Sequence, residues 1–114
     1  EMGIRDSPYI IEMTPRLDGC HMWNLLARST GVNLMKLVFE HLLYDDVSEL
    51  KQLNSGVKSM ELVFFCQKPE TIMEQSAFSI PKDAEDSFFY YETGDYVRSV
   101  NGRFDKVGYF IRGL

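Results

Sequence analysis

In the stretch YIIEMTPRLDGCH, residues 9–21, Glu12, Thr14 and Arg16 recur at every second position. In a strand that spacing puts them on one face, while Tyr9, Ile11 and Met13 take the other. Hard divalent cations such as Mg²⁺ prefer oxygen ligands, commonly one or two carboxylates completed by phosphates and water. An arginine beside them grips a phosphate or carboxylate bidentately. A second acid comes from upstream. EMGIR and YIIEMT flank DSP, and a tight turn centred on Asp6 and Ser7 places Glu1 opposite Glu12. Like charges directly opposite destabilise a ladder, so this pairing asks for open water, another register, or a cation between the carboxylates. Residue types and spacing alone leave two readings open: a site for a metal-bound polyphosphate, or the solvated face of a two-stranded ribbon.

The elements that must position these groups follow in order. A hairpin is expected over residues 1–14, ended by Pro15, which cannot donate to a ladder. CHMWNLLARS, residues 20–29, reads as a short helix with Asp18 as N-cap and Met22, Leu25 and Leu26 as its apolar stripe. His21, near its start, is expected to be a surface or capping residue. After the STG break, Val32, Met35, Val38, Phe39, Leu42 and Leu43 predict an amphipathic helix ending near Tyr44. DDVSELKQLNSG predicts a shorter helix stopped at Gly56. The character then changes. SMELVFFCQ, TIMEQSAFSI, SFFYYE, YVRSV and KVGYFIRGL are strand-like, and VNGR carries the Asn-Gly pair of a tight turn. The second half is therefore expected to form a small antiparallel sheet or partial barrel.

At 114 residues, 45% hydrophobic, the chain has enough apolar content for one core. A net charge of −5 offers no basic patch for phosphate backbones, which argues against a nucleic-acid partner. The apolar runs fall short of the ~20 residues a helical membrane span needs, so no membrane association is expected. Cys20 and Cys66 lack CxxC spacing, which speaks against a zinc site or disulfide framework and favours a reducing, cytoplasmic setting. Met13, Met22, Met35, Met60 and Met73 read as core filling.

The run PYIIEMTPRLDGCHMWNLLARSTGVNLMKLVFEHLL resembles the C-terminal part of an ATP-grasp carboxylate-amine ligase, of the carbamoyl-phosphate synthase-like or amino acid ligase-like kind. The family pattern is a strand reading viEinpRlgG, a histidine-containing helix, an atG break, and a helix beginning near vdl. The terminal VGYFIRGL is similar to the β-rich C-terminal segment of some members. The resemblance implies an α+β fold: a β-hairpin and two to three helices, followed by a small antiparallel β-rich segment. It divides the chain into residues 1–56, the C-terminal portion of the ATP-grasp domain, and residues 57–114, a β-rich subdomain packed on it.

By the same resemblance Glu1, Glu12 and Thr14 would hold Mg²⁺ (or Mn²⁺) against the phosphates of ATP, the co-substrate. Thr14 stands where the family has asparagine, and Asp18 stands where it has glycine. Arg16 would contact the phosphate or the acyl-phosphate intermediate, in both a binding and a catalytic role. Small-molecule carboxylate and amine substrates are implied, with a homodimer as one assembly. In the family the Gly-rich loop, the lysines and the adenine pocket precede this region. The chain opens at Glu1 without an initiator Met, so a fragment, inactive by itself, is expected. The rival reading is a non-catalytic binding or assembly module that uses an exposed aromatic sheet edge at Phe88–Tyr91 or Val63–Phe65. Those aromatics could equally fill the core. Arg98, Arg103 and Arg112 could line a carboxylate pocket or be surface charges.

Overall fold

A computed structural model of the chain describes residues 19–52, 56–100 and 102–114. The expected hairpin, the Asp18 cap, and the site residues Glu1, Glu12, Thr14 and Arg16 all lie outside the described residues. What is described is α+β: two α-helices and a three-stranded antiparallel sheet.

Helices α1 (Met22–Thr30) and α2 (Leu34–Tyr44) fall on the two periodic stretches. They are separated by the STG break because Gly31 adopts φ 79°, a left-handed turn that glycine enters without a Cβ penalty, and its N–H closes on the Ala27 carbonyl. The Asn33 side chain then caps α2 by accepting from the Lys36 N–H at 3.1 Å. At the start of α1 the cap position belongs to His21, at φ 57° and without a side-chain cap bond. The shorter helix expected after Tyr44 is instead a 3₁₀ turn, Ser48–Gln52. The Asp46 carboxylate opens that turn by accepting from the Ser48 N–H at 2.9 Å, which holds this carboxyl below its ordinary range.

The sheet has strand order β1 (Met60–Gln67), β3 (Asp105–Gly113), β2 (Ala84–Phe89), which among the described residues leaves β1 and β2 as its edges. Register sets the two faces. Phe64, Tyr109 and Phe88 are directly opposite one another, as are Phe65, Gly108 and Phe89 on the reverse side. An irregularity at Phe65/Cys66 opposite Gly108 and Lys106 gives β3 one extra residue. The extra residue is Val107, which therefore joins the reverse face and is fully buried with Met73 and Val97, against Phe65, Phe78, Phe89 and Tyr91. Gly108 is required here: a Cβ would lie 2.6 Å from the Phe88 carbonyl oxygen and 2.8 Å from the Phe89 ring.

Two segments expected as strands are loops that plug this core. TIMEQSAFSI contributes only an isolated bridge from Ile72 to Tyr96 and a 3₁₀ turn at Gln75–Ala77. YVRSV contributes the other half of that bridge. Their apolar residues act one at a time, Met73 and Val97 going inward while Ile72 and Tyr96 stay exposed. Alternation over so few residues cannot distinguish a strand from a plug. Strand β2 also begins three residues earlier than SFFYYE suggests and stops before Tyr90. Among the described residues, no helix is long and apolar enough to cross a membrane.

Candidate functional site

Polar residues at i, i+3 and i+7 of the first helical stretch, His21, Asn24 and Arg28, point at the sheet. Asn24 is buried, and its amide donates to Asp86 Oδ2 at 2.6 Å. The Tyr109 hydroxyl donates to the same oxygen at 3.2 Å. Arg28 donates from Nε to Asn24 Oδ1 at 3.0 Å and brings its guanidinium within 3.7 Å of Asp86 and 3.6 Å of Glu85. One carboxylate of β2 thus gathers an amide, a phenol and a guanidinium, so its charge is met from three sides.

At the other end of α1, His21 Nε2 and the Tyr90 hydroxyl share a hydrogen bond of 2.7 Å. The imidazole stacks on Tyr90 and packs 4.3 Å from the Tyr109 ring centroid. Beside it, Lys106 Nζ lies 3.0 Å from Cys20 Sγ and 4.2 Å from the centre of the Phe64 ring. Cys20 and Cys66 are both free thiols. Burial, then the charge of Tyr109 and that of Cys20, push the Tyr90 phenol up; burial, then the charge of Asp86, push Tyr109 up. Both phenols stay protonated at neutral pH. They are suited to donating hydrogen bonds and to presenting ring faces, not to nucleophilic attack.

Tyr90 also belongs to the wall of a groove of about 570 Å³, lined with Tyr91, Asp95, Tyr96 and Arg98. The loop that carries these residues is pinned by its backbone. Tyr90 N–H donates to the Val107 carbonyl, Gly94 N–H to Met73, Met73 N–H to Asp95, and Val97 N–H to Thr71. The Asp95 carboxylate accepts from the Glu92 N–H at 2.8 Å, and Gln75 Nε2 donates to the Tyr91 carbonyl at 2.9 Å. A groove built this way is largely preformed. Among the described residues the Arg98 guanidinium has no hydrogen-bond or ion-pair partner, so it is free to meet an anion.

The chain matches no family model, no curated protein and no solved structure.

The three tail arginines part company. Arg98 lines the groove. Arg112 is engaged by Glu61, with Asp83 at 4.0 Å, and Arg103 is exposed outside the groove. Among the described residues, no three His, Cys, Asp or Glu side chains gather in a way that could hold a metal ion. The residues expected to hold Mg²⁺ and phosphate, Glu1, Glu12, Thr14 and Arg16, are outside the described set. Sequence reasoning missed the Asn24–Asp86–Tyr109 network. The only signal for it was the polar stripe 21, 24, 28 at helical spacing; its partner Asp86 is 62 residues away from Asn24.

Proposed function

We propose that this chain is the C-terminal part of an ATP-dependent, Mg²⁺-dependent ligase of the ATP-grasp type, which joins a carboxylate to an amine through an acyl-phosphate intermediate. One observation carries the reading: the ordered run from Glu12 through Pro15, Arg16, Gly19 and Gly31 to the second helix. The two helices and the left-handed Gly31 between them support it, because they fall where that run calls for helix, break and helix. Glu1, Glu12 and Thr14 form an all-oxygen donor set, chemically suited to Mg²⁺ or Mn²⁺. The metal, when bound, would neutralise the transferring phosphates. Arg16 would hold the phosphate or the acyl phosphate by two parallel N–H bonds. The groove at Arg98 would receive the carboxylate of a substrate.

The test uses the full-length polypeptide that carries this segment. Mg²⁺-dependent release of ADP from ATP is measured against pools of amino acids and small carboxylates. Turnover should appear with at least one pool and fall on the order of 100-fold or more in Glu12→Gln and in Arg16→Ala. The segment alone should not turn over. Absence of ATP turnover with every pool, or a fully active Glu12→Gln enzyme, would sink the ligase reading.

A second reading draws on a separate observation. Among the described residues strand β2 is a sheet edge, and it presents Phe88 at 57% exposure beside the exposed ring of Tyr90. An aromatic edge of this kind suits a non-catalytic binding or assembly module that pairs with an extended partner strand. Phe65 and Phe89, by contrast, are packed against the core. A peptide partner that protects the β2 amides from hydrogen exchange, in a protein without ATP turnover, would favour this reading.

A further inference from the structure

We propose that the groove lined by Tyr90, Tyr91, Asp95, Tyr96 and Arg98 binds a betaine, a small molecule that carries both a quaternary ammonium and a carboxylate. The ammonium sits at the tyrosine rings and Asp95, the carboxylate at Arg98. This seating rests on the reading that places a substrate carboxylate at Arg98, and not on ATP turnover. A chain reversal makes the groove. Asp95 N–H donates to the Glu92 carbonyl at 3.0 Å, and Gly94 between them takes φ 99°, so the flanking Tyr91 and Tyr96 come to one hollow. The bridge to Ile72 holds Tyr96, and the His21 ring holds the Tyr90 hydroxyl. The rings are thus in place before a ligand arrives, which lowers the cost of binding it.

Two opposite charges line this one groove. Asp95 and Arg98 are close in sequence, yet among the described residues no ion pair joins them. The Asp95 carboxylate spends Oδ2 on the Glu92 N–H, and among the described residues its other oxygen has no partner. Charges that share a groove without closing on each other leave one place for a cation and another for an anion. A molecule with both charges meets both, whereas a simple ion leaves one of them unmet.

The rings decide which kind of cation fits. A tyrosine face attracts a cation through its quadrupole, and a quaternary ammonium, with no N–H to satisfy, exchanges water for ring faces at the least cost. A primary ammonium brings three N–H donors. For these the lining side chains offer one open carboxylate oxygen and the phenols, and the Tyr90 phenol is already engaged by His21. Ring faces outnumber open acceptors here, which favours the methylated cation. The space, about 570 Å³, is ample for a small betaine with water around it, so weak and reversible binding follows.

The experiment is an NMR titration of the ¹⁵N-labelled chain with glycine betaine. Nucleotide and metal are left out, so that failure here and failure of the ADP-release assay are told apart. Saturable shifts should gather at the amides of residues 90–98, with Kd on the order of 1 mM. Choline, which lacks the carboxylate, and glycine, which lacks the methyl groups, should each bind at least about tenfold more weakly. Tyr96→Leu and Arg98→Gln should each weaken glycine betaine by about fivefold or more. Tyr96→Phe, which keeps the ring, should bind as the wild type does, and so should Arg103→Gln, outside the groove. Absence of saturable shifts, choline or glycine binding as tightly as glycine betaine, or full affinity in Tyr96→Leu overturns the proposal. The three probes on the unaltered chain decide the matter even where a variant fails to fold.

Discussion

Helices α1 and α2 are separated by three residues and attached to the rest of the molecule in opposite ways. Helix α1 is fastened by polar groups: Asn24 and Arg28 reach the carboxylate of Asp86, and Ser29 exchanges two hydrogen bonds with Lys58. Its apolar residues Met22, Trp23, Leu25 and Leu26 are only half-buried. Helix α2 carries the cleaner apolar stripe yet buries just Leu37, and the stripe faces outward. An apolar pattern says which face would gain from leaving water. It does not say that anything in the same chain covers it. Hydrogen-bond partners decide where a helix sits.

The sharpest way to break this contrast is at the shared carboxylate. Asp86→Ala leaves Asn24, Tyr109 and Arg28 facing the same empty position, with Asn24 buried. Hydrogen bonds to a charged group contribute about 1.5–3 kcal/mol, and the partial exposure of Asp86 reduces what its ion pair adds. A loss of about 2–3 kcal/mol in urea unfolding is expected. Asn24→Ala removes one donor and leaves the carboxylate its other two, so about 1–2 kcal/mol is expected. In a double-mutant cycle the pair should couple by at least ~0.5 kcal/mol. Strict additivity would mean that α1 is held by its apolar contacts after all.

Alkaline titration sharpens the same side of the comparison. Tyr90 and Tyr109 both have phenols raised above the ordinary value. A raised phenol binds its proton more tightly in the folded state, so the associated stability is complete below about pH 10. It is lost as pH climbs through the unfolded value toward the folded ones, because the unfolded chain releases its protons first. The urea midpoint should therefore fall as pH rises above about 10. Tyr109→Phe, lacking the titrating group, should show a shallower fall. An equal slope in both proteins would remove Tyr109 from the account.

What was legible in the sequence follows the range of the forces involved. Helices 22–30 and 34–44 and the break at Gly31 are local, set by a 3.6-residue period and one left-handed glycine, and all three were readable. Strands β1 and β3 were readable as long apolar runs. The shorter runs were not, since Met73 and Val97 are buried singly and their roles depend on a sheet assembled from elsewhere. Met35, expected in the core, is 37% exposed, because a period shows the face and not its cover. His21, expected as a surface or capping residue, does stand at the N-cap of α1, but its side chain bonds Tyr90 from 69 residues away rather than the helix backbone. In the candidate site the same limit holds. Arg98 was one of three equivalent arginines until the bridge between Ile72 and Tyr96 curled its loop into a groove.

The smallest expected effect tests the other helix. Leu42→Gln replaces an apolar side chain that is 72% exposed and already largely hydrated. In dilute solution it should change unfolding stability by no more than about 0.5 kcal/mol, in contrast to the 2–5 kcal/mol typical of emptying a core position. A large loss in dilute solution would mean that the stripe is covered within a single chain, and the opposition between the two helices would disappear with it.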